Sequence, residues 1–524
     1  MPAVLATMLL GALLWVAAWA VASPVGSSPD EPFHLAATWW YAPDATASRR
    51  IDPTTGAIES LIPTTVLASA CFAFDPSQTG FCTMEIAPES VWWHVPERAP
   101  AGGALFYRIL SFFVGRAVSP TAVFNAVAAM RIFNGILAIG LLAGVAYFLS
   151  RSGKRLLCYS VLAIASPMII FLVASINPSG WAITGLLVAW FGAYAALRGR
   201  GVGEGGIAER GIADSGVAES GIVGRGIAER FVPALLAVMG AIMAANARTD
   251  SAVYLAAMAV AVVIMDWPNV RLNWWRLTLP LLFFAIGVFG FLAGGHAGVI
   301  TEGVVGAVNV DGSALWPSWV LINNLFQLPE FLLRLPTPPL NWLDTELPQI
   351  SEVSVSIAWV ALALWGFAAS KANWQKVIML VGILVLLVLL PLYLFQVSGL
   401  LVGFEIQQRY MLPLLPILLS VALWRPRRDG APRLSKGFTW LLYLAIVIGH
   451  AMALHTQIRR FTRGLDNYVT RFYTGPRLNV GVQWWLAPLS PDATWLLGSL
   501  GFALLALALF AVRMPRDQLV AADE

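Results

Sequence analysis

The feature that most limits what this chain can become is a recurrence of apolar blocks, each about twenty residues long, the length an α-helix needs to cross the ~30 Å hydrocarbon core of a bilayer. About twelve such blocks stand at roughly 3–22, 121–149, 155–175, 180–197, 231–247, 251–267, 277–295, 353–369, 375–397, 408–424, 437–455 and 493–513. Inside lipid every backbone N–H and C=O needs a partner within the segment, so such blocks fold as helices. The expected fold class is an all-α polytopic membrane protein of about 12 transmembrane helices, a single transmembrane domain over residues 1–524. Composition agrees: 58% of the residues are hydrophobic and 12% charged. A soluble domain carries roughly 25% charged residues, so a soluble globular enzyme is excluded. The first block lacks a preceding basic segment, which favours an uncleaved first helix over a signal peptide, although it runs into the cleavage-like Ala20-Val21-Ala22-Ser23.

The distribution of positive charge sets the orientation. With the N-terminus in the cytoplasm, the short inner connectors hold Arg151, Lys154, Arg155, the arginines between Arg198 and Arg230, Arg271, Arg276, Lys371, Lys376, the cluster Arg425 to Lys436, Arg513 and Arg516. These are 19 of the 33 basic residues, every lysine included. The long segments 23–120, 296–352 and 456–492 then lie outside, and an even span count returns the C-terminus to the cytoplasm. The net charge is only +4, and no basic run points to nucleic acid. Between the fourth and fifth blocks, residues 206–230 hold five pentapeptides of the type Gly206-Ile207-Ala208-Glu209-Arg210. This Gly-rich stretch reads as a flexible cytoplasmic linker spanning 198–230, without a catalytic role. Cys71 and Cys82 share the first outer loop, where an oxidising exterior permits a disulfide; a pair of unpaired thiols is the other reading.

In this topology the polar clusters set in apolar sequence gather on the outer side. Pro29-Asp30-Glu31-Pro32-Phe33-His34 follows the first block, and its prolines fix φ and discourage helix continuation. Two carboxylates on a rigid turn suit a general base, or with His34 a divalent cation; a plain solvated turn is the third reading. Asn177 lies in the turn Ser175-Ile176-Asn177-Pro178, and Arg248 and Asp250 lie in another, where they suffice to pair with each other. Arg131 is deep in an apolar helix, flanked by Asn125 and Asn134. An intramembrane arginine faces a cavity or a partner, so it is either functional or half of a structural ion pair. The loop 296–352 is rich in Trp, Phe and Pro and fits interfacial helices on the outer leaflet, with the added expectation that Asp344 or Glu346 reaches the site. Gln407, Arg409 and Tyr410 open the tenth block. Arg409 at a helix start opposes the macrodipole and wants an anion, either a phosphate or the neighbouring Glu405.

Three of these motifs, Pro29-Asp30-Glu31-Pro32-Phe33-His34, Trp342-Leu343-Asp344-Thr345-Glu346-Leu347-Pro348 and Arg409-Tyr410-Met411-Leu412-Pro413-Leu414-Leu415-Pro416, resemble an uncharacterised family of bacterial multipass proteins with the pattern P-D-E-x-x-H, W-L-D-T-x-L-P and R-Y-x-x-P-L-x-P. Their order and spacing cover most of the chain. That family is in turn similar to the GT-C glycosyltransferases, N-in multispan enzymes that use polyprenyl-phosphate sugars and carry an acidic motif in a large first outer loop. The resemblance implies an integral protein of the bacterial cytoplasmic membrane with an extracytoplasmic active site. It also implies transfer of a sugar from a polyprenyl-phosphate donor to an envelope glycan, lipid or protein. Asp30 would be the general base, and Glu31 would assist it or help hold a cation. Arg409, with Arg131 or Arg248, would hold the donor phosphate, and His34, Asn177, Asp250, Asp344, Gln407 and Tyr410 would line the substrate site. Related chains often place an acidic residue after the Asn-Pro of the turn at Asn177; Ser179 stands there here, a departure that puts in doubt any role for a carboxylate at that point. No Gly-rich phosphate loop follows a strand, which argues against a nucleotide sugar. The alternatives are a lipid-linked saccharide transporter or flippase, and a non-catalytic partner in envelope assembly.

Overall fold

The computed structural model describes residues 2–43, 49–94, 104–163, 166–198, 219–293, 316–368, 373–403, 407–425, 434–464, 478, 484–485 and 489–511. Its helices, in chain order, are α1 (Pro2–Val21), α2 (Glu31–Trp40), α3 (Ala104–Leu110), α4 (Pro120–Phe148), α5 (Arg151–Ala163), α6 (Pro167–Val173), α7 (Pro178–Arg198), α8 (Glu219–Ala247), α9 (Thr249–Met265), α10 (Thr278–Ala293), α11 (Pro317–Leu333), α12 (Gln349–Ala368), α13 (Trp374–Ser398), α14 (Leu414–Leu423), α15 (Lys436–Arg463) and α16 (Pro491–Ala511). The loop after α1 adds a small antiparallel sheet, β1 (Arg50–Ile51), β2 (Ile58–Pro63) and β3 (Ser90–His94), in that spatial order, with Arg50 opposite Glu59 and Leu61 opposite Trp92. The chain is mostly helical, as expected of an all-α polytopic membrane protein, and the sheet is a small addition in its first loop.

Among the described residues nine helices are long and apolar enough to cross a membrane. The other three expected spans are helical too, but shorter or broken. Residues 155–175 fall on α5 and α6, whose axes bend by 97° at Ser166-Pro167, where the ring of proline forbids helix continuation. Residues 251–267 form α9, 17 residues long, and 408–424 contain only the 10-residue α14, because Pro413 and the turn before it delay the helix start. The eleventh block extends beyond its expected end, since α15 continues to Arg463 with Gln457 and Arg460 on its buried face. The linker expectation over 198–230 is corrected at its end: α8 begins at Glu219, so the last two pentapeptides are helical, consistent with their Ile, Ala, Glu and Arg content. The earlier pentapeptides lie outside the described residues, as do 296–315 and most of 465–488.

Small residues set the closest crossings. A Cβ on Gly185 of α7 would stand 2.6 Å from the carbonyl oxygen of Gly240 on α8, and one on Gly240 would stand 2.6 Å from that of Gly185. Backbones meet there as small residues allow in membrane bundles. α7 is the central helix, with 94% of its apolar window buried. Polar groups collect at the two ends of the bundle. At one end Asp266, fully buried, accepts from Arg276 at 2.5 Å, while Gln375 donates to the carbonyls of Ile264 and Met265, and Lys376 donates to those of Gly366 and Ala422. Those carbonyls close helix ends that lack further intrahelical partners. The opposite end carries the first loop, the turns before α7 and α9, and the segment before α14.

Candidate functional site

The site begins where α1 ends. Arg131, in the middle of α4 and fully buried, reaches the last turn of α1 and uses every guanidinium nitrogen. It donates to the carbonyls of Ala20 (3.1 Å), Ser23 (2.7 Å) and Pro24 (2.8 Å), and to both carboxylate oxygens of Glu31 (2.8–3.2 Å). A cation on the free carbonyls of a helix C-terminus answers both their unmet bonding and the macrodipole. Glu31 is also fully buried and accepts further from Ser28 N, Ser27 Oγ and Ile176 N. Its lone pairs are spent. The expected roles of Glu31 in base or cation chemistry and of Arg131 in holding phosphate are therefore corrected: the two form a structural ion pair, the alternative left open for Arg131.

This pair and its neighbours fix the residue between them. Asn177, buried in the turn before α7, donates to the carbonyl of Pro29 at 2.9 Å and accepts from Ser179 N at 3.0 Å. Asn134 extends the clamp by donating to Ser175 O and accepting from Trp181 Nε1. Trp342 Nε1 donates to the carbonyl of Gly26, whose φ of +79° and contact with Ser69 leave no room for a Cβ. Held on both sides, Asp30 adopts a left-handed conformation (φ 61°, ψ 10°) at the start of α2. Aspartate tolerates that region better than most residues, and such strain persists only where the surroundings over-determine it. Asn177 is thus a positioning residue for Asp30.

Asp30 is half exposed, and its Oδ2 lies 2.6 Å from Arg409 Nη2, across 379 positions of sequence. Arg409, in the short turn Gln408–Tyr410, is 3% exposed, and among the described residues its Nε and Nη1 meet no hydrogen-bond partner. The alternative partner Glu405 lies outside the described residues. The ring of Tyr410 is shared by two guanidinium groups, Arg248 at 4.2 Å and Arg409 at 5.1 Å from its centre. Arg248 also binds both oxygens of Asp250 at 3.1 Å, the local pairing the sequence allowed. The buried Oε1 of Gln407 has no donor among the described residues. Burial works to raise the Asp30 carboxyl, but the charge and hydrogen bond of Arg409, aided by His34 and Arg248, outweigh it and hold the group below its usual range. Asp30 is consequently ionised at neutral pH.

One turn along α2, His34 meets the Tyr107 hydroxyl of α3 through Nδ1 at 2.9 Å. Burial, with Arg409 and Arg248 nearby, brings its pKa down to about 3 despite the attraction of Asp30, so the imidazole is neutral at physiological pH. Burial pushes the Tyr107 phenol up. The ring of Tyr107 lies parallel to Tyr41, 6.4 Å away, and Arg108 stacks on Tyr41. Sequence reading missed Tyr107. Its signal was slight, a Phe-Tyr-Arg run in a seven-residue helix within a long loop.

Asp344 stands elsewhere. It accepts from Phe74 N (3.1 Å), Thr345 Oγ1 (2.9 Å) and Arg460 Nη2 (3.4 Å). Arg460 in turn gathers the carbonyls of Phe72, Asp75 and Gln78, the loop closed by the disulfide between Cys71 and Cys82. The expected reach of Asp344 to the substrate is corrected to a scaffold role, because its oxygens anchor that loop; Glu346 pairs with Arg334 at 2.5 Å. Gln457, also missed in the sequence, joins Ser23 and Asn341 and ties this scaffold to the end of α1. A divalent cation at Asp30, Glu31 and His34 does not fit, since Glu31 is consumed by Arg131. Among the described residues no three His, Cys, Asp or Glu side chains stand close enough to hold a metal ion.

A bundle of apolar helices, with a strained aspartate and a buried arginine paired at one of its ends, defines a polytopic integral membrane protein. Its family is equally definite: the chain belongs to DUF2142, described as predicted membrane proteins, whose profile matches residues 13–201 and 222–418. The matched regions contain Asp30, Glu31, Arg131, Asn177, Arg248, Asp344 and Arg409. No curated protein and no solved structure matches the chain.

Proposed function

We propose that the protein is an extracytoplasmic glycosyltransferase of GT-C type that moves a sugar from a polyprenyl-phosphate donor to an envelope glycan, lipid or protein. The observation that carries this reading is Arg409, a buried guanidinium that touches Asp30 at 2.6 Å and whose Nε and Nη1 meet no partner among the described residues. Arginine recognises phosphate oxygens through two parallel N–H donors, and a desolvated cation of this kind favours a dianion or monoanion strongly. Asp30, ionised and half exposed, takes the proton of the acceptor hydroxyl as that oxygen bonds to the anomeric carbon. The bond from that carbon to the phosphate oxygen breaks, its electron pair leaves with polyprenyl phosphate, and Arg409 and Arg248 stabilise the charge that develops. His34, neutral, offers a hydrogen bond to substrate. The disulfide of the first loop and the Lys/Arg bias of the opposite connectors support an extracytoplasmic face for the site.

A second reading, a lipid-linked saccharide transporter, draws on the break between α5 and α6 and the short α14, since transporters place substrates at discontinuous helices. Sugar transfer in purified membranes, with radiolabelled polyprenyl-phosphate sugars and Asp30→Asn, separates the two. An enzyme loses transfer with its fold intact; transport of the lipid-linked sugar without transfer by the wild type contradicts the enzyme.

A further inference from the structure

α2 carries Asp30 at its start and His34 one turn on, so the two side chains stand on one face of the helix. The contact of His34 Nδ1 with the Tyr107 hydroxyl, at 2.9 Å, has two senses, because a neutral imidazole holds its proton on either ring nitrogen. Tyr107 decides between them. It is 4% exposed, and its hydroxyl has no other hydrogen-bond partner among the described residues. A proton on Nδ1, donated to the phenol oxygen, would leave the phenol's own proton buried without an acceptor, a loss greater than the gain from one hydrogen bond. With the phenol donating to Nδ1 instead, the buried donor and acceptor satisfy each other and the imidazole proton sits on Nε2. The phenol is held where it makes this bond. Its neighbour Phe106, fully buried, packs edge-on against Trp181 with ring centres 5.1 Å apart, Trp181 donates to Asn134, and the Tyr107 ring lies parallel to Tyr41. The two nitrogens of an imidazole point in nearly opposite directions, so Nε2 faces away from α3. No group among the described residues bonds to Nε2, His34 keeps part of its surface exposed, and its ring lies in the fields of Asp30, Arg409 and Arg248.

We propose that Tyr107 locks His34 in the Nε2–H tautomer and so makes it a donor-only contact for an uncharged oxygen of the substrate beside Asp30. Nε2 carries its proton and has no lone pair for a second, and Nδ1 spends its lone pair on Tyr107. His34 is thereby excluded from general-base work, which falls to Asp30. The two arginines suit an anionic group, whereas a neutral N–H suits a hydroxyl oxygen and adds no third cation next to them. Tyr107 touches no substrate in this arrangement; it is a positioning residue that acts through the imidazole. The tautomer rests on the packing alone, while the identity of the oxygen as one of a sugar rests on the glycosyltransferase reading.

The test is NMR of the full chain in nanodiscs with histidine isotopically labelled in its ring nitrogens. The chain has five histidines, and the signals that vanish in His34→Gln belong to His34. At neutral pH the protonated nitrogen of His34 is expected to be Nε2, recognised by its correlation with Cδ2, with Nδ1 unprotonated and shifted by its hydrogen bond. In Tyr107→Phe that shift is lost and the proton is shared between the two nitrogens. A proton on Nδ1 in the wild type, or a His34 spectrum indifferent to Tyr107→Phe, overturns the proposal. Sugar transfer from radiolabelled polyprenyl-phosphate sugars supplies the functional readout. His34→Leu should lower transfer about tenfold, the loss of one hydrogen bond, and His34→Gln, whose amide N–H lies near the position of Nε2, should recover most of it. Tyr107→Phe should cost about threefold in the wild type and nothing further in His34→Leu, since it acts through the imidazole. Additive losses, or transfer indifferent to His34→Leu, overturn the substrate contact. The spectrum separates the two readings: the Nε2–H tautomer in a protein that transfers no sugar keeps the lock and removes the glycosyltransferase, and transfer by a protein with the proton on Nδ1 does the reverse.

Discussion

The two carboxylates of the Pro29–Pro32 turn have opposite fates one residue apart. Asp30 faces outward beside Arg409, and Glu31 faces inward onto Arg131. Asp30→Asn should lower sugar transfer by roughly 10²–10⁴-fold, the usual contribution of a general base, while the protein stays folded with a lower melting temperature, because buried Arg409 loses its carboxylate partner. Arg131→Ala strands a buried carboxylate and should cost about 3–5 kcal/mol, read as a loss of folded protein on size exclusion and of thermal stability. Activity lost in that variant is lost with the fold. For His34 the folded pKa, about 3, lies below the ordinary 6.5, so the unfolded chain binds the extra proton between those values. Its contribution to stability is complete above pH 6.5 and is lost as pH falls toward 3. Thermal melts at pH 5 and pH 7.5 should therefore differ less in His34→Gln than in the wild type; an equal difference contradicts the burial of a neutral imidazole.

The elements explain how these residues meet. α2 is aimed by the turn before it, whose carbonyls and carboxylate are held by α4 and by the turn leading into α7. The loop from Cys71 to Cys82 is held by Arg460 at the end of α15 and by Asp344. Removing the disulfide with Cys71→Ser should cost about 3 kcal/mol, the closure entropy of a loop of this size, and reductant should lower the wild-type melting temperature similarly. A melt indifferent to reductant contradicts this account. At the α7–α8 crossing, Gly240→Val places a side chain against the carbonyl of Gly185 and should lower stability and yield, while Gly382→Ala on α13, whose Cβ meets nothing, should not. The helical character of all twelve apolar blocks was legible in the sequence because lipid leaves the backbone no other choice. The break before Pro167 and the brevity of α14 were not, because a window of hydropathy averages across the prolines that interrupt a helix.

At the scale of the whole molecule, the site joins segments that the chain keeps far apart. Asp30 and Arg409 were each visible as charged residues in apolar surroundings. That they meet was not, since no local period relates positions 379 apart. The same limit hid the partner of Glu31, which is engaged by Arg131 across 100 positions. Gln457 and Arg460 escaped notice because the eleventh block loses its apolar character where α15 carries on, buried by the disulfide loop and not by lipid. The sequence located the polar clusters and left to the fold which of them pair with one another. The most direct measurement is sugar transfer from radiolabelled polyprenyl-phosphate sugars in purified membranes, comparing wild type with Asp30→Asn and Arg409→Ala. The account predicts transfer by the wild type, loss of at least about 100-fold in each variant, and weakened donor binding in Arg409→Ala alone. Full activity in both variants, at wild-type levels of folded protein, would contradict it.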